Sequence, residues 1–583
     1  TTVSAPGKVL VAGGYLVLDR PNVGVVLAAT ARFFTSVRWT QEQAPVPVAA
    51  PAEGGGSLLQ PLRIKVESPQ FRSIHWYECV FYEDGRLPVL LSSPDQAPNV
   101  FVERALAYVL GYLLWTEGAR GGENDTMKDS LCRAREEGRA LAIKLRADND
   151  FYSQTSQARK RDATEYSNRN TLNLPGLRAR GLPCTSSALA TLPLFLECPV
   201  SEDGAVIVAK TGMGSSAALV SSLVGALLTF FGAATLPSFD DEAPGRESPV
   251  VTSGPGLSES LDLTHNLAQA CHCVAQGKVG SGFDVSAAVY GTHTYTRFSP
   301  GELAGALSAG DAPSTPPSSG EMPTNGCKTP TALERIEKCV SGRGGWDAER
   351  GQLRLPSCFR LLMGDVCGGS STPSMVRKVL AWRADPSTAD RANEVWSSLA
   401  STNTTIAELL NALATAAASS SCEEDTGHES FEASMQALSS RPGTTWDETS
   451  GREAFGTSSL DQLLQLRTAF GTARRLLREM GEEAAVPIEP PVQTELVDAT
   501  SVLPGVLCAG VPGAGGVDAV FAIVIHPDAE EGVRKLWADW LVGGGAGEDK
   551  GEDGGAVVCP LSLTASEGGT QSGIVCTRKL SWE

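Results

Sequence analysis

A chain of 583 residues is long enough for roughly two to four domains of ordinary size. With 42% apolar and 20% charged residues it fits a protein with a packed core. A net charge of −19 argues against a general nucleic-acid binder, which needs a basic face, and requires any phosphate site to be built locally from backbone N–H groups, a few lysines and a metal ion.

The 14 cysteines are scattered without the spacing of a small disulfide framework, so reduced thiols in a cytoplasmic protein are expected. Residues Thr1 to Lys8 lack a basic segment followed by an apolar one, and no signal peptide is expected there. Ala217 to Leu236 carries no charge and is long enough to cross a bilayer. It follows a glycine-rich turn directly, contains Ser221 and Ser222, and lacks a basic flank on its far side. A buried helix is expected, and no membrane contact.

In chain order, Val9 to Val11 and Tyr15 to Leu18 read as two strands joined by Gly13-Gly14. Gly24 to Ala29 and Phe33 to Trp39 continue the β pattern, and residues 41–60 read as a loop. The spacing of Phe101, Ala105, Tyr108 and Val109 predicts a helix over Asn99 to Leu114. The charged stretch 117–140 reads as a surface insertion. Ala205 to Val208 reads as a strand leading into Lys210-Thr211-Gly212-Met213-Gly214 and the long apolar helix. Residues 237–259 read as a loop, and Leu261 to Gln276 as a helix stopped by Gly277. Residues 301–330, rich in Pro, Ser and Gly, read as a linker. Phe359 to Met363 opens a second α/β region. Polar residues 419–455 precede an amphipathic helix over Leu460 to Met480, Val520 to Ile525 reads as a strand, and residues 541–556 as a further insertion. The expected division is one domain over 1–340 and another over 341–583.

Four segments carry chemistry. Lys210-Thr211-Gly212-Met213-Gly214-Ser215-Ser216-Ala217 lies between a strand and a helix, where glycines admit an anion and the helix start offers free N–H groups. Taken alone it also fits a dinucleotide fingerprint or a plain capped turn. It is not a GxxxxGK[ST] loop. Ser4-Ala5-Pro6-Gly7-Lys8 holds a lysine after a Pro-Gly turn, which suits bridging phosphates or an ordinary surface. In Lys278-Val279-Gly280-Ser281-Gly282-Phe283-Asp284 the aspartate reads as a helix N-cap or as a carboxylate beside a transferring phosphoryl group. Pro512-Gly513-Ala514-Gly515-Gly516 allows close approach to a ligand. Cys271, His272 and Cys273 point in different directions on a helix and are not a zinc site.

The order and spacing of these segments resemble the GHMP small-molecule kinases, and most closely the fungal and plant branch that acts on 5-phosphomevalonate. His265 to Gln269 and Ile488-Glu489-Pro490-Pro491-Val492-Gln493-Thr494 belong to the same resemblance, which spans both ends of the chain. It implies two α/β domains with the active site in the cleft between them, and phosphoryl transfer from ATP to 5-phosphomevalonate. ATP phosphates would lie on Lys210, Thr211, Gly212, Met213, Gly214, Ser215, Ser216 and Ala217, with Ser216 on Mg²⁺ and Asn99 on the adenine side. Lys8 would bridge donor and acceptor, Asp284 would be the catalytic aspartate, and Tyr15, Ser281, Gly282, Ala514 and Gly515 would line the acceptor pocket. Mevalonate kinases carry Glu-His where this chain has Gly14-Tyr15, and a metal-binding glutamate near the place of His272.

Overall fold

Val, Thr, Phe and Trp make up nine of the seventeen residues 24–40, side chains that suit a pleated surface, and in the computed structural model these residues form one unbroken strand. The structure describes residues 1–42, 61–120, 127–153, 185–201, 204–238, 256–310, 330–341, 346–366, 372–420, 430–447, 457–542, 556–565 and 572–577. Strand β1 (Thr2–Ala12) pairs antiparallel with β2 (Gly24–Thr40). Strands β3 (Leu62–Ser68), β4 (Ser73–Val80), β5 (Val89–Ser92) and β6 (Ala140–Ala147) continue on the other side of β2. A short pair, β7 (Tyr152–Ser153) and β8 (Ala209–Lys210), stands apart, while β9 (His293–Thr296) and β10 (Glu349–Gln352) complete the order β10-β9-β2-β6-β3-β4-β5. The second sheet uses β11 (Arg360–Asp365), β12 (Val506–Gly510) and β13 (Ala519–Val524). After the pair β14 (Leu541–Val542) and β15 (Ala556–Val557), β16 (Cys559–Pro560) joins it in the order β12-β13-β11-β16, and β17 (Val575–Cys576) returns to pair with β1. Strand β10 and β17 thus bring residues beyond 340 into the first sheet. The buried Arg32 guanidinium reinforces this return, donating to Ser4 and to the Gly573 carbonyl.

Helices α1 (Val100–Arg120), α2 (Met127–Glu136), α3 (Ser215–Phe230), α4 (Leu257–Gln276) and α5 (Phe283–Tyr290) accompany the first sheet. Helix α3 is buried from Ala217 to Leu228 and packs on β1 and β2, as its lack of charge requires. No helix among the described residues is long and apolar enough to cross a membrane. Gly225 permits this packing: a Cβ there would lie 2.6 Å from Ile574 Cδ1 and 3.3 Å from Val3 Cγ1. Helices α6 (Ala304–Gly310) and α7 (Ala332–Val340) pack on each other. Further on come α8 (Thr372–Ala384), α9 (Ala389–Ser420), α10 (Phe431–Ser439), α11 (Thr457–Glu483), α12 (Pro491–Ser501) and α13 (Glu530–Asp539). Helix α9 packs along α11, and also reaches β2 and the turn at Leu16–Leu18.

Several expectations need correction. Leu16–Leu18 is a 3₁₀ turn, not a strand. Gly13 (φ 97°) and Tyr15 (φ 63°) reverse the chain, and the N–H groups of Leu16 and Val17 bond back to Gly14 and Gly13. Ala205 to Val208 forms only a bridge at Val206, and the strand lies at Ala209–Lys210. Within 117–140, residues to 120 and Met127–Glu136 are helical, with Met127, Leu131 and Ala134 buried as one i, i+4, i+7 stripe that its charge concealed; 121–126 lie outside the described residues. Within 301–330, residues to 310 are helical and bury Leu303, Ala306 and Ala309; 311–329 lie outside the described residues. Within 237–259, α4 already begins at Leu257, and 239–255 lie outside. The polar stretch 419–455 contains α10 and the fully buried Trp446, with 421–429 and 448–456 outside, as are 43–60 and 543–555.

Because Leu303 is fully buried, Leu303→Ala is expected to cost about 2–5 kcal/mol of stability. Chemical denaturation checks this; an unchanged midpoint would mean that the segment is a linker after all.

Candidate active site

Pro6 lacks an N–H, and the β1–β2 register slips between Pro6 and Lys8. This irregularity frees the Lys8 main-chain N–H from the ladder, and it donates to the Met213 carbonyl at 3.0 Å. The Lys8 ammonium donates to the Gly212 carbonyl at 2.9 Å. Gly212 (φ 79°) and Gly214 (φ 75°) take the left-handed backbone that favours glycine. A Cβ on Gly214 would lie 3.1 Å from Lys8 Cε and 3.7 Å from Asp284 Cβ. Gly214 is also the N-cap of α3 and offers no capping side chain. The start of α3 therefore presents N–H groups suited to an anion.

Asp284 is the second residue of α5, whose N-cap is Gly282 (φ 85°). It is not the cap itself, and its Oδ1 accepts the Val285 N–H at 3.0 Å. The Phe283 ring lies 5.3 Å from the Lys8 ammonium. Burial lowers the Lys8 pKa, and the Asp284 carboxylate opposes that fall.

His272 enters from the buried face of α4. Its Nε2 lies 3.1 Å from Ser216 Oγ, 3.1 Å from Gln276 Nε2 and 4.0 Å from Asp284 Oδ2. The Phe101 ring of α1 sits 5.7 Å away. Burial lowers the His272 pKa, Asp284 opposes this, and Lys210 and Lys278 lower it further. The imidazole is thus neutral, and its Nε2 accepts from the Gln276 amide, which can only donate. Cys271 and Cys273 are buried, with thiol pKa values raised by burial. Among the described residues no group of three or more His, Cys, Asp or Glu is placed to hold a metal ion.

The second cluster surrounds Tyr15. Its hydroxyl donates to the Ala514 carbonyl at 2.7 Å, and the buried ring has a raised pKa. A Cβ on Gly14 would lie 2.2 Å from Gly513 O, and one on Gly515 (φ 74°) would lie 2.1 Å from Ile488 O. The Gly516 N–H bonds Ile488 O at 2.7 Å, and next to it Glu489 is buried against Arg474 in a forked pair at 2.6–3.0 Å. The Glu489-Pro490-Pro491 segment thus braces the glycine loop. Ser281 and Gly282 are held by Tyr295, whose hydroxyl donates to Ser281 O at 2.9 Å. Arg297 donates to Val279 O, to Gly280 O and to Leu18 O, tying this loop to the Tyr15 turn.

Lys8, Gly212 to Ser216 and Asp284 therefore meet in one place, with the exposed Lys210 within electrostatic reach of His272. Thr211 and Met213 are buried beneath the loop; Thr211 donates to Asp150 O at 2.6 Å. Ser215 and Ala217 are buried in the first turn of α3. Tyr15 and Ala514 meet beside Gly515, and Arg297 links Leu18, after Tyr15, to Val279 and Gly280, just before Ser281 and Gly282. Asn99 caps α1, two residues before the Phe101 that faces His272: its Oδ1 accepts the Val102 N–H and its N–H donates to Glu103. Sequence reasoning missed His272, Tyr295 and Arg297 as site-builders, since their partners are distant along the chain.

No family model matches the chain. It is 34% identical over 545 residues to a peroxisomal phosphomevalonate kinase of Arabidopsis thaliana, covering 92% of each chain. It is 33% identical over 569 residues to a phosphomevalonate kinase of Aspergillus fumigatus, covering 95% of this chain and 92% of the relative. A solved Streptococcus pneumoniae phosphomevalonate kinase, in complex with phosphomevalonate and AMPPNP, aligns at 14% identity and a TM-score of 0.47, over 92% of this chain and 96% of that one.

Removing the Asp284 charge takes away the support that counters burial at Lys8. In Asp284→Asn the ammonium is expected to lose its proton at lower pH than in the parent. Competitive acylation of Lys8 across pH, read by peptide mass spectrometry, checks the sign; an unmoved or raised midpoint refutes the coupling.

Proposed function

Because the chain belongs to the phosphomevalonate kinase family, we propose that it transfers the γ-phosphoryl group of ATP to the phosphate of 5-phosphomevalonate, releasing ADP and 5-diphosphomevalonate. The observation that carries this reading is the meeting of Lys8, the Gly212–Gly214 loop and Asp284 around one point. The bond between the β,γ-bridging oxygen and the γ-phosphorus breaks, and a new bond forms from an acceptor phosphate oxygen to that phosphorus. The acceptor, a phosphate monoester with a second pKa of about 6, is already mostly a dianion near neutral pH. Proton removal contributes little. The main task is to hold two polyanions together and stabilise the charge between them.

In this reading the N–H groups at the start of α3 hold the ATP phosphates, and Lys8 spans donor and acceptor. Asp284 keeps Lys8 protonated against burial and orients it. Tyr15, Ser281, Gly282, Ala514 and Gly515 shape the acceptor side, and Asn99 marks the adenine side. Ser216 Oγ and the Asp284 carboxylate, which both border His272, are hard oxygen donors that suit Mg²⁺ accompanying ATP. That ion would be held by Ser216 and would supply charge neutralisation on the phosphates. Neutral His272 positions the Ser216 hydroxyl. A domain boundary near residue 340 is part of this reading, and the hydrogen bond from Tyr15 to the Ala514 carbonyl supports placing the acceptor between the sheets. Buried, unbridged thiols such as Cys79, Cys271, Cys273 and Cys508 support a reducing compartment. We propose the cytosol; the Arabidopsis relative is named peroxisomal, and imaging of tagged protein separates the two.

Coupled ADP release is expected with 5-phosphomevalonate and not with mevalonate; the reverse preference would overturn the assignment. Lys8→Met is expected to lower turnover by about 10²–10³, and Asp284→Asn by less near neutral pH. If Asp284→Asn is the more damaged enzyme, the carboxylate acts as a base or an indispensable positioner, and the charge-bridging account fails.

A further inference from the structure

The first sheet carries a cavity of about 250 Å³ well away from the cleft. Its walls are Pro61 to Arg63 at the start of β3, Phe81 after β4, one face of α2 and the turn into β6. Leu62, Phe81 and Leu131 are buried and make its floor apolar. Arg63, Arg135 and Arg139 surround that floor. Three guanidinium groups around one hollow run against the net charge of −19. Arg139 pairs with Glu137 at 2.5 Å, yet its Nε is buried without a hydrogen-bond partner. Such a donor costs free energy unless something accepts from it. Glu78 stands opposite Arg63 on β4, but among the described residues neither Arg63 nor Arg135 has an ion-pair partner.

The location separates this hollow from the active site. Arg139 directly precedes β6, where Ala140 pairs with Thr40, whereas Lys8 pairs with Ala28. A dozen residues of β2 lie between, roughly 40 Å of strand contour. The Arg139 guanidinium lies 6.0 Å from the Trp39 ring, which packs edge-on against Phe230 and Phe231 at the end of α3 opposite Ser215.

We infer that this cavity binds a small organic phosphate, a phosphate monoester on a short alkyl chain. Guanidinium groups fork planar pairs of phosphate oxygens. With Glu137 counted against Arg139 and Glu78 opposite Arg63, the cluster still keeps a net positive charge, which an anionic phosphate monoester of about −1.5 to −2 at pH 7 complements. The alkyl chain lies on Leu62, Phe81 and Leu131. The site is independent of the proposed catalytic reaction.

The test uses the full chain and pentyl phosphate as probe, followed by calorimetry with AMPPNP saturating. Binding is expected to persist with AMPPNP present, and to be at least tenfold weaker for pentanol. The double variant Arg63→Ala/Arg135→Ala, both exposed positions, is expected to bind pentyl phosphate at least tenfold more weakly with ADP release unchanged. Cys132 lines the cavity, so pentyl phosphate is expected to slow its alkylation by iodoacetamide in the parent, read by peptide mapping. The inference is overturned by the absence of binding, by displacement with AMPPNP, by a double variant that binds as tightly as the parent, or by unprotected Cys132.

Discussion

Two hydrogen bonds join Lys8 to the glycine loop, one from its main-chain N–H to Met213 and one from its ammonium to Gly212. Both depend on the register slip after Pro6, which turns a ladder donor toward the loop. Much of the cleft follows from that attachment. The loop stays close to β1 because Gly214 has no side chain to hold it off, and the same opening admits Asp284. A single added methyl would press on Lys8 at 3.1 Å and touch the aspartate at 3.7 Å, so Lys8, Asp284 and the helix start are packed as one unit.

Burial explains the division of labour inside that unit. An ammonium withdrawn from water tends to lose its proton, and the adjacent carboxylate resists this. His272, also buried but with Lys210 and Lys278 near it, has its pKa lowered by burial and by both lysines, while Asp284 opposes this. Asp284 thus opposes the effect of burial at both Lys8 and His272. The acidic character of the whole chain bears on long-range attraction, whereas these local terms govern the chemistry.

That Lys8, the Gly212–Gly214 loop and Asp284 belong together was legible in the sequence because each carries a restricted residue type: a lysine after Pro-Gly, glycines before a helix, an aspartate after Ser-Gly. Helix α3 was legible for a similar reason, since an uncharged run of that length must be buried. Tertiary partnerships were not legible. His272 meets Ser216 across 56 positions, and Arg297 meets Leu18 across 279, and nothing local to either residue marks the contact. Composition misled where charge surrounded a narrow apolar stripe, as in α2, or where small residues masked a helix, as at Ala304–Gly310. At Tyr15 to Leu18 an apolar run suggested a strand, but two residues with positive φ decided the turn.

Strand β1 is flanked by β2 on one edge and by β17 on the other, and Arg32 clasps Ser4 to Gly573. During synthesis the ribosome releases β1 and β2 early, while Val575 and Cys576 emerge hundreds of residues afterwards. Until then the strand bearing Lys8 has a bare margin, and the Arg32 guanidinium lacks its last acceptor. The sheet around Lys8 is therefore complete only once Gly573 to Cys576 have been made.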